Sequence, residues 1–332
     1  MLNRKWFLWI IFIVLAISGQ AQDIHFSQYD RNPLLLNPAM TGDIQDCYLR
    51  AGFNNKEQWE KTYVTQSFFA DTRLSFDNYT SNTKFGIGGY FYSDKAGDGN
   101  LKNSFGMLTM ALHKSFNPEQ TFWGTLGFSA GLGSLSVDFT QFYFDSQWNG
   151  FVFDPNMANN ENFIASSFSY FDLNIGGMIT YIRPNKYDLR IGVSVSHLLE
   201  PQYSLFDDDV YLGRRYLIHS DMVIPINRFV LSPSAMFSMQ NDTWEALAGS
   251  NLSYEVSGVK VSGGLWFRVL RDIIPVLGLE YRKWSLQFSY DVNISSQYAA
   301  TNYRGGLEFS LIKKFCYSPK KIHDLERIPC VE

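Results

Sequence analysis

The strongest constraint on the fold of this chain is a strict alternation of apolar and polar residues between positions 284 and 295. The apolar positions are Trp284, Leu286, Phe288, Tyr290, Val292 and Ile294, and every residue between them is polar. Because successive side chains of a β-strand point to opposite faces, a strand here would be apolar on one face and polar on the other. A helix would scatter both kinds of residue around its surface. The segment therefore predicts a strand that separates two environments.

The same alternation recurs along the chain, for example near Phe85, Leu189, Val259 and Leu307. It predicts about fourteen strands of roughly ten residues each, an even number and a length that are typical of a transmembrane barrel. The strands would begin near Cys47 and end near Phe315. The predicted strand centres are Gly52, Ser67, Gly88, Leu108, Gly127, Gly176, Val193, His219, Ala235, Ala248, Gly264, Gly278, Phe288 and Phe309.

Composition favours a membrane barrel over a soluble β-sandwich, which also alternates. Aromatic residues make up 17% of the chain and charged residues only 18%, and Trp and Tyr often fall near the predicted strand ends, as at a bilayer interface. After Ala21 no apolar stretch is long enough for a spanning helix, so a membrane role would require a closed barrel. We predict an all-β fold, a transmembrane antiparallel outer-membrane β-barrel of about 14 strands with short periplasmic turns and long extracellular loops.

The N-terminus has the pattern of a signal peptide. Arg4 and Lys5 precede an apolar run from Trp6 to Ile17, and small residues follow up to Ala21. The run of about a dozen residues is shorter than the roughly 20 that a spanning helix needs. We predict a cleaved signal peptide at 1–21 and export to the outer membrane; the alternative, an uncleaved anchor, lacks a stop-transfer pattern. The other predicted divisions are an N-terminal periplasmic or lumen segment at 22–46, the barrel at 47–315 and a periplasmic tail at 316–332.

The segment between the signal peptide and the first predicted strand contains two Asn-Pro pairs, Asn32-Pro33 and Asn37-Pro38. Proline lacks an amide donor and biases the residue before it toward extended or turn shapes, which disfavours a barrel strand. The segment could lie across the periplasmic mouth as a tether. It could instead enter the lumen, where Gln28, Asn32 and Asn37 would find polar partners. Both placements stay open from the sequence alone.

The opening of the predicted mature chain, Asp23 to Gln28 and Asn32 to Met40, resembles that of the PorP/SprF family. Similar patches follow in order at Asn54 to Trp59, Asp94 to Leu101, His197 to Pro201, Arg215 to His219, Leu231 to Gln240, Gly264 to Arg268 and Phe288 to Asp291. Together they span nearly the whole chain after the signal peptide. The candidate partner-binding or structural residues of the opening motif are His25, Phe26, Ser27, Gln28, Asn32, Pro33, Asn37 and Pro38.

The resemblance implies a non-enzymatic outer-membrane component of the type IX secretion and gliding machinery. Such a protein would anchor a surface protein, an adhesin-type cargo, or assist its secretion. The partners it implies are outer-membrane lipids, a secreted adhesin or other type IX cargo, and periplasmic lipoprotein or secretion-ring components. The alternative is a porin-like channel for small solutes, which would need a continuous wet pore.

No catalytic or metal-binding pattern stands out in the sequence. The five histidines are scattered, with no pair at the short spacing of a zinc site, and no serine lies in a Gly-x-Ser-x-Gly turn. We therefore expect no enzymatic activity, no cofactor and no metal. A net charge of −4 without a basic stripe argues against nucleic acid. The charged residues Arg268, Glu280, Arg282 and Glu308 are expected to face the lumen and to pair across strands.

Three cysteines in an exported chain leave one that is unpaired or bonded to another molecule. Cys47 lies near the start of the first predicted strand and Cys316 just after the last, and closure of a barrel makes those strands neighbours. Cys330 lies in the tail and could fold back. The three are candidates for a disulfide whose pairing stays open.

Overall fold

The computed structural model describes residues 23–44, 47–58, 63–74, 82–97, 99–139, 142, 144–154, 157, 166–205, 209–295 and 303–316. The predicted signal peptide at 1–21, the tail after Cys316 and Cys330 itself lie outside these residues. In the described part of the chain, no helix is long and apolar enough to span a membrane.

The described residues form fourteen antiparallel strands. The first seven are β1 (Leu49–Gln58), β2 (Tyr63–Leu74), β3 (Thr83–Ala96), β4 (Leu101–Ser115), β5 (Phe122–Ser136), β6 (Ser167–Arg183) and β7 (Tyr187–Ser196). The others are β8 (Arg215–Ile226), β9 (Phe229–Gln240), β10 (Thr243–Val256), β11 (Val259–Arg268), β12 (Asp272–Tyr281), β13 (Trp284–Tyr290) and β14 (Gly306–Phe315). After a break at Asp291, Val292–Asn293 continue β13 and pair with β12. Short helical turns lie at Tyr29–Arg31, Pro33–Leu36, Pro38–Met40 and Asp145–Gln147.

The sheet closes on itself between the first and last strands. Leu49 of β1 lies opposite Phe315 of β14, and Gln58 lies opposite Gly306. Every other strand pairs with its neighbours along the chain, so the sheet is a closed barrel. Closure satisfies the backbone hydrogen bonds of both end strands, as the interior of a membrane requires.

The alternation seen in the sequence sorts side chains between the outside and the lumen. In β13, Phe288 is 45% exposed on the outer face, whereas Ser289 is 3% exposed on the inner face. Leu108 and Leu277 are 75% and 69% exposed, because they belong to the apolar outer belt that faces lipid. The all-β outer-membrane barrel predicted from the sequence is therefore confirmed.

All fourteen predicted strand centres fall within strands, but the predicted length of about ten residues is wrong for several. β13 has 7 residues, β4 and β5 have 15 each, and β6 has 17. The inner faces of β3, β4 and β6 carry buried aromatic side chains, Tyr92, Phe105 and Tyr170, toward the end where the long β5–β6 connection lies. The packing of these rings stabilises strand pairing beyond the length that a bilayer needs.

The two ends of the barrel differ in the length of their connections. One end has short turns, such as 184–186, 227–228, 257–258 and 282–283, and we assign it to the periplasm. The other end carries the long connections 137–166 and 197–214, which we assign to the extracellular side. Arg282 lies in the exposed β12–β13 turn against the ring of Tyr281, so its predicted place in the lumen is wrong.

Candidate functional site: a segment that fills the lumen

Residues 23–44, which we call the plug, run through the barrel lumen. Asp23 contacts Gln240 at the extracellular end of β9, and the Ile44 carbonyl accepts from Arg73 near the periplasmic end of β2. Asn37 and Ala39 are both 0% exposed at the middle of this path. The structure thus places the segment inside the lumen along its height, and not across the periplasmic mouth.

The eight candidate residues of the opening motif all lie in the plug. They are His25, Phe26, Ser27, Gln28, Asn32, Pro33, Asn37 and Pro38, and all except the half-buried His25 are buried. Pro33 and Pro38 each begin a short helical turn, where the missing amide donor costs nothing. The Asn-Pro pairs therefore fold the plug into successive turns while their asparagine side chains bond to other groups.

At the extracellular end, His197 joins the plug to the barrel wall. Its Nε2 lies 2.7 Å from Asp23 Oδ2 in the plug, and its Nδ1 lies 2.6 Å from Asp172 Oδ2 on β6. Burial alone would lower the pKa of His197, but Asp23 and Asp172 raise it to about 9. Burial alone would raise the pKa of Asp23, but His197 and Arg215 lower it to about 2. At neutral pH the His197 side chain is therefore a cation that lies between two carboxylates.

Below this contact, Glu308 on β14 binds the backbone of the plug. Its two carboxylate oxygens accept from the amides of Ser27, at 2.8 Å, and Gln28, at 3.0 Å. The Gln28 side chain donates to Ser289 at 2.7 Å. Glu308 is 0% exposed. The sequence led us to expect that it pairs with a charge on a neighbouring strand, but its carboxylate accepts hydrogen bonds from main-chain amides of the plug instead.

The Ser27 hydroxyl lies at the centre of a buried charge network. It donates to Asp291 Oδ2 at 2.7 Å and lies 3.0 Å from Lys56 Nζ and 2.8 Å from Arg268 Nη2. Arg268 also pairs with Glu245 at 2.6 Å and with Asp272, which confirms the expected cross-strand pairing for this residue. The small side chain of Ser27 fits among these charged groups.

Asn32 and Asn37 flank the helical turn Pro33–Leu36, and both bond to the wall. Asn32 Oδ1 accepts from Asn54 and Ser67, both at 2.8 Å. Asn37 Nδ2 lies 3.2 Å from the carbonyl oxygens of Gly177 and Val193, while its Oδ1 accepts from the Ala39 amide at 2.9 Å. An amide side chain suits position 37 because it donates and accepts hydrogen bonds at the same time.

Two glycines of the barrel wall make room for the plug. A Cβ at Gly127 would overlap the backbone of Pro38 and Ala39, and one at Gly176 would overlap the Asn37 side chain. The wall and the plug therefore approach each other at backbone distance, which leaves no water layer between them at these points.

Apolar contacts hold the other face of the plug. Tyr29 lies edge-on to the Trp266 ring with centroids 5.5 Å apart, within a buried cluster that also contains Leu36, Met236 and Ile274. Phe26 is 3% exposed nearby. Burial of these side chains on both surfaces adds hydrophobic stabilisation to the hydrogen bonds of the polar face.

At the periplasmic end, the plug leads into the first strand through wall contacts and a disulfide. The Gly42 amide donates to Asp71 at 2.7 Å, and Asp43 pairs with Arg190 at 3.3 Å. Cys47 is bonded to Cys316, so the pairing that the sequence left open is the one across the closing strands.

Of the wall residues that bind the plug, the sequence placed Glu308 and Arg268 in the lumen but did not predict their contacts with the plug. It gave His197 only within a family patch and the two wall glycines only as strand centres, and it did not single out Asp172 or Asp71. Their common signal is a polar or small residue on the inward face of a strand, which a water-filled lumen would also produce. Across the described residues, no group of three His, Cys, Asp or Glu side chains could hold a metal ion.

A closed barrel of fourteen strands with an apolar belt defines an integral outer-membrane β-barrel protein, and its described lumen contains a folded segment of its own chain. The chain belongs to the PorP/SprF family: the model of the type IX secretion system membrane protein PorP/SprF matches residues 18–312. The predicted family is thereby confirmed. No curated protein matches the chain.

The chain is similar to several solved structures. A Pseudomonas aeruginosa FadL homologue is 12% identical, with 85% of this chain and 93% of that chain covered at a TM-score of 0.51. The Pseudomonas putida toluene transporter TodX is 10% identical, with 86% and 94% covered at a TM-score of 0.46. At this identity the first of these likenesses shows the fold alone.

Proposed function

We propose that this protein is a non-enzymatic docking barrel of the type IX secretion and gliding machinery, which anchors an adhesin-type surface protein or assists its secretion. The observation that carries the proposal is the plug: the lumen holds residues 23–44 where a channel would need water. Export through a cleaved signal peptide at 1–21 belongs to the same proposal. Family membership supports the secretion role.

The contacts of the plug argue against the alternative, a porin-like channel. Hydrogen bonds that involve a charged group contribute about 1.5–3 kcal/mol each. The plug makes such bonds to Glu308, to Asp71 and to His197. Withdrawal of the plug would leave these charges buried without their partners. A solute path that requires withdrawal would therefore be closed nearly all the time.

A barrel with a closed lumen offers partners its two ends. The extracellular end carries the aromatic connection around Trp148 and Phe153, which pair with each other, and Phe151 at its tip is 89% exposed. Exposed aromatic residues are common in protein interfaces. We propose that secreted cargo binds this end and that periplasmic lipoprotein or secretion-ring components bind the other.

An affinity pull-down of the tagged barrel from native outer membranes tests the proposal. We expect a large surface protein or secretion-ring proteins to remain bound, as identified by mass spectrometry. A variant in which 149–152 is replaced by a Gly-Ser turn should lose the surface protein and keep the periplasmic partners. A barrel that is recovered alone and conducts ions in planar bilayers would contradict the docking role.

A further inference from the structure

Beside the plug, the lumen contains a cavity in its periplasmic half along β9 to β13. The cavity has a volume of about 170 Å³, with Asp30 and Arg31 of the plug above it. Its walls carry Lys260, Ser262, Glu280 and Gln287. We call this cavity the periplasmic chamber.

Several polar groups of the chamber have no partner among the described residues. Asp30 Oδ1 and Gln287 Nε2 are buried without a hydrogen bond, and Gln287 is 6% exposed. Lys260 and Glu280 face each other on neighbouring strands, yet neither takes part in an ion pair among the described residues. Buried polar atoms without partners are rare in folded proteins, so the Asp30 and Gln287 atoms point to a polar occupant.

The chamber lies between the plug, on its extracellular side, and the short turns of the periplasmic end. The turn Tyr29–Arg31 covers it, because Arg31 is fixed by hydrogen bonds to Ser285 at 2.9 Å and to Ser310 at 3.1 Å. Lys260 is the second residue of β11 and Glu280 the last but one of β12, so both lie beside the short turns. A group that enters from the periplasm would stop at the plug and would not pass through.

We propose that the periplasmic chamber binds a mixed-charge peptide segment of a periplasmic protein. An acidic side chain of the segment meets Lys260 and Arg31, a basic side chain meets Asp30 and Glu280, and a backbone carbonyl accepts from Gln287. A peptide fits because it carries both charges and both kinds of hydrogen-bonding group within the length of a few residues. The proposal rests on the docking role and names the place and the chemistry of its periplasmic contact.

Cysteine labelling in the full-length protein tests this site. Ser262→Cys is introduced with Cys330→Ser, which leaves the Cys47–Cys316 disulfide in place, and a small maleimide is applied to native envelopes and to the purified barrel. We expect labelling to be about tenfold slower in envelopes, as an occupancy of about nine-tenths gives. Arg228→Cys in the exposed β8–β9 turn reports that the reagent reaches the periplasm in both samples.

A double exchange, Lys260→Glu with Glu280→Lys, keeps opposite charges on the facing positions but reverses their places. In this variant we expect Ser262→Cys to label in envelopes as fast as in the purified barrel, with unchanged heat-modifiable migration on gels. Equal labelling of the parent in both samples would overturn the proposal, and so would protection that persists in purified protein or survives the exchange. None of these readouts depends on ion conduction or on surface cargo, so a failure here is distinct from a failure of the docking role.

Discussion

His197 Nε2 lies 2.7 Å from Asp23 Oδ2, so an imidazole of the barrel wall holds the extracellular end of the plug. The side chains of His197 and Asp23 are 4% and 11% exposed. Both belong to a buried charge group that also contains Asp172 and Arg215, so replacing either leaves the charges of this group unbalanced, which is more costly than losing a surface ion pair. The contact is the outermost of a series that continues through Ser27 and Asn37 to Gly42.

This ion pair predicts a pH window for the attachment of the plug. The pKa of His197 is raised from 6.5 to about 9, so its contribution is complete below about 6.5 and is lost as the pH rises through about 9. The pKa of Asp23 is lowered from 3.8 to about 2, so its contribution is complete above about 3.8 and is lost as the pH falls through about 2. Protection of 23–28 from hydrogen exchange, corrected for the chemical exchange rate, should therefore be greatest between about pH 3.8 and about pH 6.5.

The variant His197→Gln should remove the upper limit of this window, because glutamine keeps a hydrogen bond but carries no charge that is lost as the pH rises. We expect local opening of 23–28 to become easier by about 3 kcal/mol near pH 6, with little change above pH 10. A variant whose protection follows the same pH profile as the parent would show that another group holds the plug.

The strand pattern could be read from the sequence because it is local, whereas the plug could not. Phe288 and Ser289 reveal their opposite faces through their immediate neighbours, and all fourteen strand centres follow from the same rule. Ser27 and Glu308 meet across 281 residues, and they do so only once β14 has closed on β1. The two Asn-Pro pairs exclude a strand but do not choose between lumen and periplasmic mouth.

The same limit applies to the wall of the site. Gly127 and Gly176 are strand residues whose lack of a side chain matters only because the plug lies against them. The pairing of Cys47 with Cys316 likewise needs the register of the closing strands. The lengths of β3 to β6 were underestimated, because inward aromatic side chains such as Phe105 extend strand pairing beyond what a bilayer requires.

Gly127→Val should push the plug away from the wall, because the added side chain overlaps the backbone of Pro38 and Ala39. The matched control is Gly263→Val on β11, where an added Cβ meets nothing within 4 Å. We expect trypsin or exchange protection of the plug to fall in the first variant only, while both fold to heat-modifiable barrels. Equal protection in the two variants would contradict the close approach.

Asn37→Ala should weaken the middle of the plug by about 3 kcal/mol, since three hydrogen bonds of about 1 kcal/mol each are lost. Asn55→Ala serves as a control, because the Asn55 amide pairs with Glu57 and Gln66 on the wall. Exchange at 37–44 should accelerate in the first variant and stay unchanged in the second. No difference between them would show that Asn37 does not hold the plug.

Cys316→Ser should loosen the periplasmic end of the β1–β14 seam. Loss of a native disulfide typically costs about 2–5 kcal/mol, so the unfolding midpoint in denaturant should fall. Cys330→Ser should leave the midpoint unchanged. On denaturing gels this variant, like the parent, should migrate faster without a reducing agent than with one, because the Cys47–Cys316 disulfide remains. If Cys330→Ser destabilised the barrel as much as Cys316→Ser, the seam disulfide would not be the stabilising bond.

Conductance in planar bilayers is the most direct test of the central claim, that the plug closes the lumen. We expect the full-length barrel to conduct little, and a barrel that lacks residues 22–43 but retains heat-modifiable migration to form an ion-conducting pore. A full-length barrel that conducts as well as the shortened one would contradict the claim and favour a porin-like channel.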